Sequence, residues 1–176
     1  MRTKWFYLKE QDFKELLRLS HMYHREAIRC ENSKAYTAGC VMAGACLETS
    51  LLMMVHLYGN ELETAGFVPK MKQKYKPLFK WTFKELVLAA RGMNWLPTGL
   101  QIGAEWNTRR AKIGDYAEVL RQFRNLVHPV RYLQDHSPSR VTIKHLKMNI
   151  DIVELACEHL GAKVNASLQK KLGIVD

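Results

Sequence analysis

Apolar residues recur at intervals of three and four along most of this chain, the spacing that places them on one face of an α-helix. This pattern predicts a first helix over residues 10–30. A second helix is predicted to follow an N-cap at Ser33 and to end at Tyr58, where a Gly-Asn pair supplies a stop signal. A last helix is predicted over residues 142–160, closed by Gly161.

Two more helices are predicted between these. The capping-box sequence that begins at Thr82 (T-F-K-E) starts one that ends near Trp95. Residues 100–128 have the pattern of one long helix with a weak point at Gly114. No strand pattern and no internal repeat is evident in the sequence. We therefore predict an all-α fold, an up-and-down bundle of four to five helices, forming a single domain over residues 1–176.

The most polar helical face falls in residues 120–132, which read LRQFRNLVHPVRY. Four of its side chains, at i, i+3, i+4 and i+7, line up on one side of a helix: Arg121, Arg124, Asn125 and His128. The apolar residues form a second stripe, centred roughly 150° from the first at about 100° per residue. One face is therefore predicted to pack into a core, while the other presents guanidinium, amide and imidazole groups.

The second helix is predicted to be the central one, because residues 38–55 (AGCVMAGACLETSLLMMV) are nearly all small or apolar. Its small residues, such as Gly39 and Gly44, would let neighbouring helices approach closely. Glu48 is the exception, since a buried carboxylate is costly unless it is paired. Either Glu48 lies at an exposed edge of the helix, or it pairs with an arginine of residues 120–132 and orients it.

The chain is strongly basic, with 27 Lys and Arg against 17 Asp and Glu and a net charge of +10. Such an excess favours a polyanion such as nucleic acid, although an inert basic protein is the alternative. Residues 64–84 contain no acid and interleave lysines with aromatic residues, in a loop or short irregular element bounded by prolines. Lysines beside aromatics suit phosphate contact and base stacking, and a solvated loop with packed aromatics is the other interpretation.

The four cysteines lack C-x-x-C spacing and predict reduced thiols without a zinc site. His21 and His24 have no third ligand nearby, so we expect surface or packing roles and no metal. The N-terminus has no signal-peptide core. No window is predicted to be long and apolar enough for a membrane span, since the best, residues 35–58, carries Glu48, His56 and many small polar residues. We therefore expect no membrane span and a cytoplasmic location.

The polar face of residues 120–132 has the chemistry needed to cleave RNA without a metal or other cofactor. A histidine that titrates near neutrality can exchange a proton with a hydroxyl, and the 2′-hydroxyl of RNA is a built-in nucleophile. Arginines bind phosphate oxygens through paired N–H groups and stabilise the charge that develops on them. The same groups would also suit phosphate or nucleotide binding without chemistry, or a purely structural polar network.

The sequence Arg124-Asn125-Leu126-Val127-His128-Pro129 resembles the R-N-x-x-H-P form of the HEPN signature. HEPN domains are the all-α nucleotide-binding domains of higher eukaryotes and prokaryotes. The order of elements over residues 34–160 is also similar: a small-residue helix with an inward Glu, a capped helix, then the motif helix. The resemblance implies a metal-independent ribonuclease in which the motif helices of a homodimer form one cleft. Other members are toxins partnered by a nucleotidyltransferase antitoxin, and some only bind.

The spacing departs from the R-x(4–6)-H pattern of catalytic members. Three residues separate Arg124 from His128, whereas six separate Arg121 from His128, and Gln122 follows Arg121. Either Arg121 is the functional arginine, assisted by Arg124 and Asn125, or the motif is a shortened variant that binds without cleaving.

The sequence thus predicts an RNA-binding, HEPN-like homodimer that is either an endoribonuclease or a non-catalytic nucleotide-, RNA- or protein-binding module. In the catalytic hypothesis His128 is the acid and base, Arg121 and Arg124 bind phosphate, Asn125 orients them, and Glu48 holds an arginine. An antitoxin or another protein partner is compatible with either. The basic rim that would contact RNA consists of Arg131, Lys144, Lys147, Lys72, Lys74 and Lys76.

Overall fold

The computed structural model describes residues 5–96, Ala117, Leu120, Arg121, Arg124 and residues 141–171. Within these residues it contains five α-helices, one two-stranded hairpin and a single 3-10 turn. They are, in chain order, α1 (Glu10–Asn32), α2 (Tyr36–Leu57), α3 (Gly59–Thr64), β1 (Lys70–Met71), β2 (Lys74–Tyr75), the 3-10 turn Leu78–Lys80, α4 (Phe83–Gly92) and α5 (Ile143–Lys171). The four described residues between α4 and α5 are helical as well. The chain is an all-α bundle, as its hydrophobic pattern predicts.

Helix α2 lies at the centre of this bundle and packs against α1, α4 and α5. It is long and apolar enough to pass as a membrane span by length and composition, with a mean hydropathy of 1.7 over its most apolar window. The prediction that no window is long and apolar enough for a membrane span was therefore wrong. However, 56% of that window is buried inside the protein, as expected for the core helix of a bundle.

The boundary between α1 and α2 differs from the prediction. Helix α1 ends in a Schellman cap, in which Lys34 adopts a φ of 59° and Ala35 donates its N–H to the carbonyl of Cys30 at 2.9 Å. The Ser33 hydroxyl donates to the carbonyl of Arg29 at 2.9 Å. Ser33 therefore belongs to the end of α1, and α2 begins at Tyr36 without a side-chain cap.

The predicted end of the last helix at Gly161 was also wrong, because α5 continues to Lys171. Tertiary contacts beyond Gly161 hold this extension. The Tyr58 hydroxyl donates to the carbonyl of Lys163 at 3.2 Å, and Val164 packs against the core. These contacts outweigh the low helix propensity of one glycine.

The lysine-rich segment folds into an antiparallel hairpin. This hairpin was not predicted, because the sequence shows no strand pattern. Lys70 pairs with Tyr75 and Met71 with Lys74. The two residues between the strands, Lys72 and Gln73, have φ values of 50° and 63°, as a two-residue type I′ turn requires. Strands of two residues are too short to produce a periodic hydrophobic signal.

The capping box at the start of α4 is confirmed. The Glu85 N–H donates to the Thr82 hydroxyl at 3.3 Å, and the Thr82 N–H donates to the Glu85 carboxylate at 2.6 Å. Two of the helix's first N–H groups are thereby satisfied, and the helix start is defined by its own sequence.

Two glycines of α2 permit close contacts with neighbouring helical residues. A Cβ atom added to Gly44 would lie 2.6 Å from Arg124 Cβ and 3.1 Å from the carbonyl oxygen of Leu120. One added to Gly39 would lie 2.7 Å from a methyl carbon of Leu146. The close approach predicted from the small residues of this helix is confirmed, and Gly44 specifically admits the backbone that carries Arg124.

We expect Gly44→Ala to lower the free energy of unfolding by about 1–3 kcal/mol, because the added methyl group overlaps Arg124 Cβ. Gly161→Ala is the matched control, since nothing lies within 4 Å of its added Cβ and Gly161 sits inside α5. The control should raise stability by roughly 0.5–1 kcal/mol through helix propensity. Urea unfolding followed by circular dichroism measures both, and equal stabilisation of the two variants would contradict the close contact at Gly44.

Candidate functional site

The central feature of the candidate site is an ion pair between α2 and the motif segment. Arg124 Nη2 lies 3.1 Å from Glu48 Oε2, and the two side chains are 34% and 20% exposed. The predicted pairing of Glu48 with an arginine of residues 120–132 is confirmed, and that arginine is Arg124. Glu48 is therefore not a solvated residue at an exposed helix edge.

Burial raises the pKa of Glu48 above its ordinary value of 4.5, although the positive charge of Arg124 and its hydrogen bond act in the opposite direction. The carboxylate is thus held at a cost that its partner only partly offsets. Since a guanidinium has five N–H donors, a carboxylate that accepts at one of its nitrogens leaves Arg124 the capacity to bind a phosphate. The geometry suits a positioned, partly exposed anion ligand.

The neighbouring described residues follow the two stripes predicted for the motif. Leu120 is fully buried, whereas Arg121 and Arg124 are half-buried. The apolar side therefore packs into the core and places the arginines at its margin. Asn125 and His128 lie outside the described residues, so their place in the site and the choice of arginine that serves His128 stay predictions.

The lysines predicted to form a basic rim lie in different environments. Lys72 and Lys74 are exposed on the hairpin, and Lys144 is exposed near the start of α5. Lys147, also exposed, has its ammonium 3.5 Å from Glu31. Arg131 lies outside the described residues.

Lys76 differs from the other rim lysines because its ammonium donates to both carboxylate oxygens of Glu85, at 2.7 and 2.8 Å. Its side chain is only 16% exposed. The charge of Lys76 is therefore compensated within the fold, in a contact that also supports the capping box of α4. Sequence reasoning missed this pair, because nine positions separate its members and no helical or strand spacing links them.

Gly44 is the other contributor that sequence reasoning did not connect with the site. Its small size was noted, but the sequence does not indicate which neighbour it admits. The contact with Arg124 depends on how the motif segment crosses α2, which is a tertiary property.

His24 has a packing role, as expected, because its Nε2 lies 2.9 Å from Glu154 of α5. Among the residues that the structure describes, no three His, Cys, Asp or Glu side chains converge as a metal site would require. Comparison of the chain with protein-family models, curated proteins and solved structures finds no match. The residues themselves must therefore support any assignment of function.

We expect Glu48→Gln to change how stability depends on pH, because it removes the titration but keeps an amide oxygen for Arg124. A pKa raised on folding means that the folded state holds the proton more tightly than the unfolded chain. The free energy of unfolding of the wild type, relative to that of Glu48→Gln, is therefore greatest below about pH 4.5. This difference is lost as the pH rises through the raised pKa of Glu48. Urea unfolding of both proteins across this range measures the difference.

Glu85→Gln is the control, because its effect on the pH dependence of stability should have the opposite sign. Burial raises the pKa of Glu85, but hydrogen bonds from Lys76 and Thr82 outweigh it and hold the net pKa below 4.5. The stability that Glu85 contributes is present above pH 4.5 and is lost as pH falls through the lowered pKa. If both variants shift the pH profile in the same direction, the contrast between the two carboxylates is wrong.

Proposed function

We propose that this chain is an RNA-binding, HEPN-like protein that cleaves RNA without a metal, with the motif helices of a homodimer forming the cleft. The observation that supports it most directly is the ion pair between Glu48 and Arg124. It links an acid of the central helix to the arginine of the R-N-x-x-H-P motif, so that Glu48 can hold Arg124 in place as the catalytic hypothesis requires. The ion pair places a cation in a defined and partly exposed position.

In the proposed reaction His128 accepts the proton of a 2′-hydroxyl as O2′ attacks the adjacent phosphorus. The bond from phosphorus to the leaving O5′ then breaks, and O5′ takes up a proton from the imidazolium. Arg121 and Arg124 stabilise the negative charge on the phosphate oxygens, and Asn125 orients the reacting groups. The phosphate ends as a 2′,3′-cyclic diester.

Electrostatics supports RNA as the polyanion. The net charge is +10, and Lys72 and Lys74 lie on an exposed hairpin. The exposed aromatic residues Tyr75 and Phe79 follow them in the chain. Lysine contacts with phosphates release counterions, so RNA binding should weaken as salt rises. Lys144, Lys147 and Arg131 would add to this surface.

The test is cleavage of a mixed single-stranded RNA pool in excess EDTA by wild type and by His128→Ala. We expect cyclic-phosphate products from the wild type and a rate lower by about 100-fold or more in the variant, the usual contribution of a general acid and base. Arg121→Ala and Arg124→Ala, compared at equal protein, show which arginine the reaction needs. Activity that survives His128→Ala, or that is lost only when EDTA is added, would refute the mechanism.

A non-catalytic binding module, partnered by RNA or by another protein, is the second candidate. The specific observation in its favour is that Glu48 pairs with Arg124, the arginine whose spacing from His128 is shorter than the R-x(4–6)-H pattern of catalytic members. For this candidate we expect RNA binding that weakens with salt and with the double change Lys72→Ala and Lys74→Ala, and no product from any variant. Fluorescence anisotropy at several salt concentrations, run beside the cleavage assay, separates the two candidates.

A further inference from the structure

A cavity of about 610 Å³ lies between α1, α2 and α5, away from the Glu48–Arg124 pair. Its walls are largely apolar and include Phe13, Leu17, Met53, Leu160 and Val164. This volume falls within the range of pockets that hold small molecules. The walls select for an apolar ligand rather than for a nucleotide.

Two thiols and two hydroxyls form a cluster in this cavity. Ser20 Oγ lies 3.2 Å from Ser50 Oγ and 3.5 Å from Cys46 Sγ, and Ser50 Oγ lies 3.6 Å from Cys157 Sγ. Cys46 is buried, whereas Cys157 is only half-buried and lines the same cavity. Of the two thiols, Cys157 is therefore the more accessible to a molecule in the cavity.

The cluster can stabilise a thiolate at Cys157. Ser50 has one hydroxyl proton, which reaches the carbonyl of Cys46 at 3.0 Å and can turn instead to Cys157 Sγ. A hydrogen bond from the Cys46 thiol lowers the pKa of Cys157 against the opposing effect of burial, and the same contact raises the pKa of Cys46. The charge of His24 also lowers the pKa of Cys157, whereas the carboxylate of Glu154, 2.9 Å from His24 Nε2, raises it. Cys157 is thus the thiol that ionises first.

We propose that Cys157 is a nucleophilic thiol for organic hydroperoxides whose apolar group occupies the cavity, and that Cys46 resolves the oxidised product as a disulfide. The inference is independent of the proposed action on RNA. It rests on the cavity, on the accessible thiol and on the second thiol beside it.

The reaction balances in two steps. The Cys157 thiolate attacks the terminal oxygen of the hydroperoxide, a sulfur–oxygen bond forms, and the oxygen–oxygen bond breaks to release an alkoxide that is protonated to an alcohol. The Cys46 thiol then attacks the sulfenic sulfur, and hydroxide leaves with the thiol proton as water. The two sulfur atoms lose two electrons in all, and one hydroperoxide is reduced.

Cys30 and Cys40 are internal controls within the same chain. Burial raises the pKa of Cys30, and it raises the pKa of Cys40 to about 12. Neither thiol lines the cavity. Both should therefore stay reduced when the cavity thiols react, since neither one meets a hydroperoxide held in the cavity.

The experiment treats the reduced full-length chain with cumene hydroperoxide or with hydrogen peroxide, then alkylates the remaining thiols and maps them by mass spectrometry. We expect a disulfide between Cys46 and Cys157, formed at least about tenfold faster with cumene hydroperoxide because its aromatic group is buried in the cavity. Equal rates for the two peroxides would overturn the apolar reactant. A disulfide between Cys30 and Cys40, or four thiols that remain alkylatable, would overturn the site.

Single serine variants assign the two roles, with circular dichroism verifying that each one is folded. Cys157→Ser should abolish the fast reaction. Cys46→Ser should accumulate a sulfenic acid that dimedone traps at Cys157, a readout that a merely structural cysteine would not produce. Cys30→Ser and Cys40→Ser should react at the wild-type rate. An unchanged rate in Cys157→Ser, or no trapped adduct in Cys46→Ser, would refute the assignment.

Discussion

The burial of α2 among the other helices is the constraint on which the rest of this structure depends. An apolar helix of this length is stabilised in a bundle when its neighbours cover most of its surface. Gly39 and Gly44 allow these neighbours to pack closely. Gly39 leaves room for Leu146 of α5, and Gly44 leaves room for the chain at Leu120 and Arg124. The same packing that forms the core therefore also positions the motif arginine.

Three polar residues of this apolar helix find partners elsewhere in the chain. Glu48 pairs with Arg124, Ser50 contacts Ser20 of α1 and Cys157 of α5, and His56 accepts the N–H of Leu8 at its Nδ1. Because an unpaired buried polar group is costly, these contacts also define which element lies on which side of α2.

The two candidate sites lie on different sides of α2. At about 100° per residue, Cys46 and Ser50 are roughly 40° apart around the helix axis, whereas Glu48 lies roughly 160° from either of them. One side faces the cavity against α1 and α5, and the other faces Arg124. Helix α2 itself separates the two sites. A substitution in one site is therefore not in direct contact with the other.

Local sequence determined the all-α class, the start of α1, the capping box at Thr82 and the central position of α2, because these depend on periodicity and on contacts within one turn. It also identified Glu48 as a residue that needs a partner, since an apolar helix offers it none. Tertiary structure decided that Arg124 is that partner, that α5 continues past Gly161, that Lys76 is held by Glu85, and that Cys46 and Cys157 share a cavity. Lys76 and Glu85 are nine positions apart, a spacing that no helix or strand pattern links. The other contacts join residues far apart in the chain, whose proximity is set by how the helices cross.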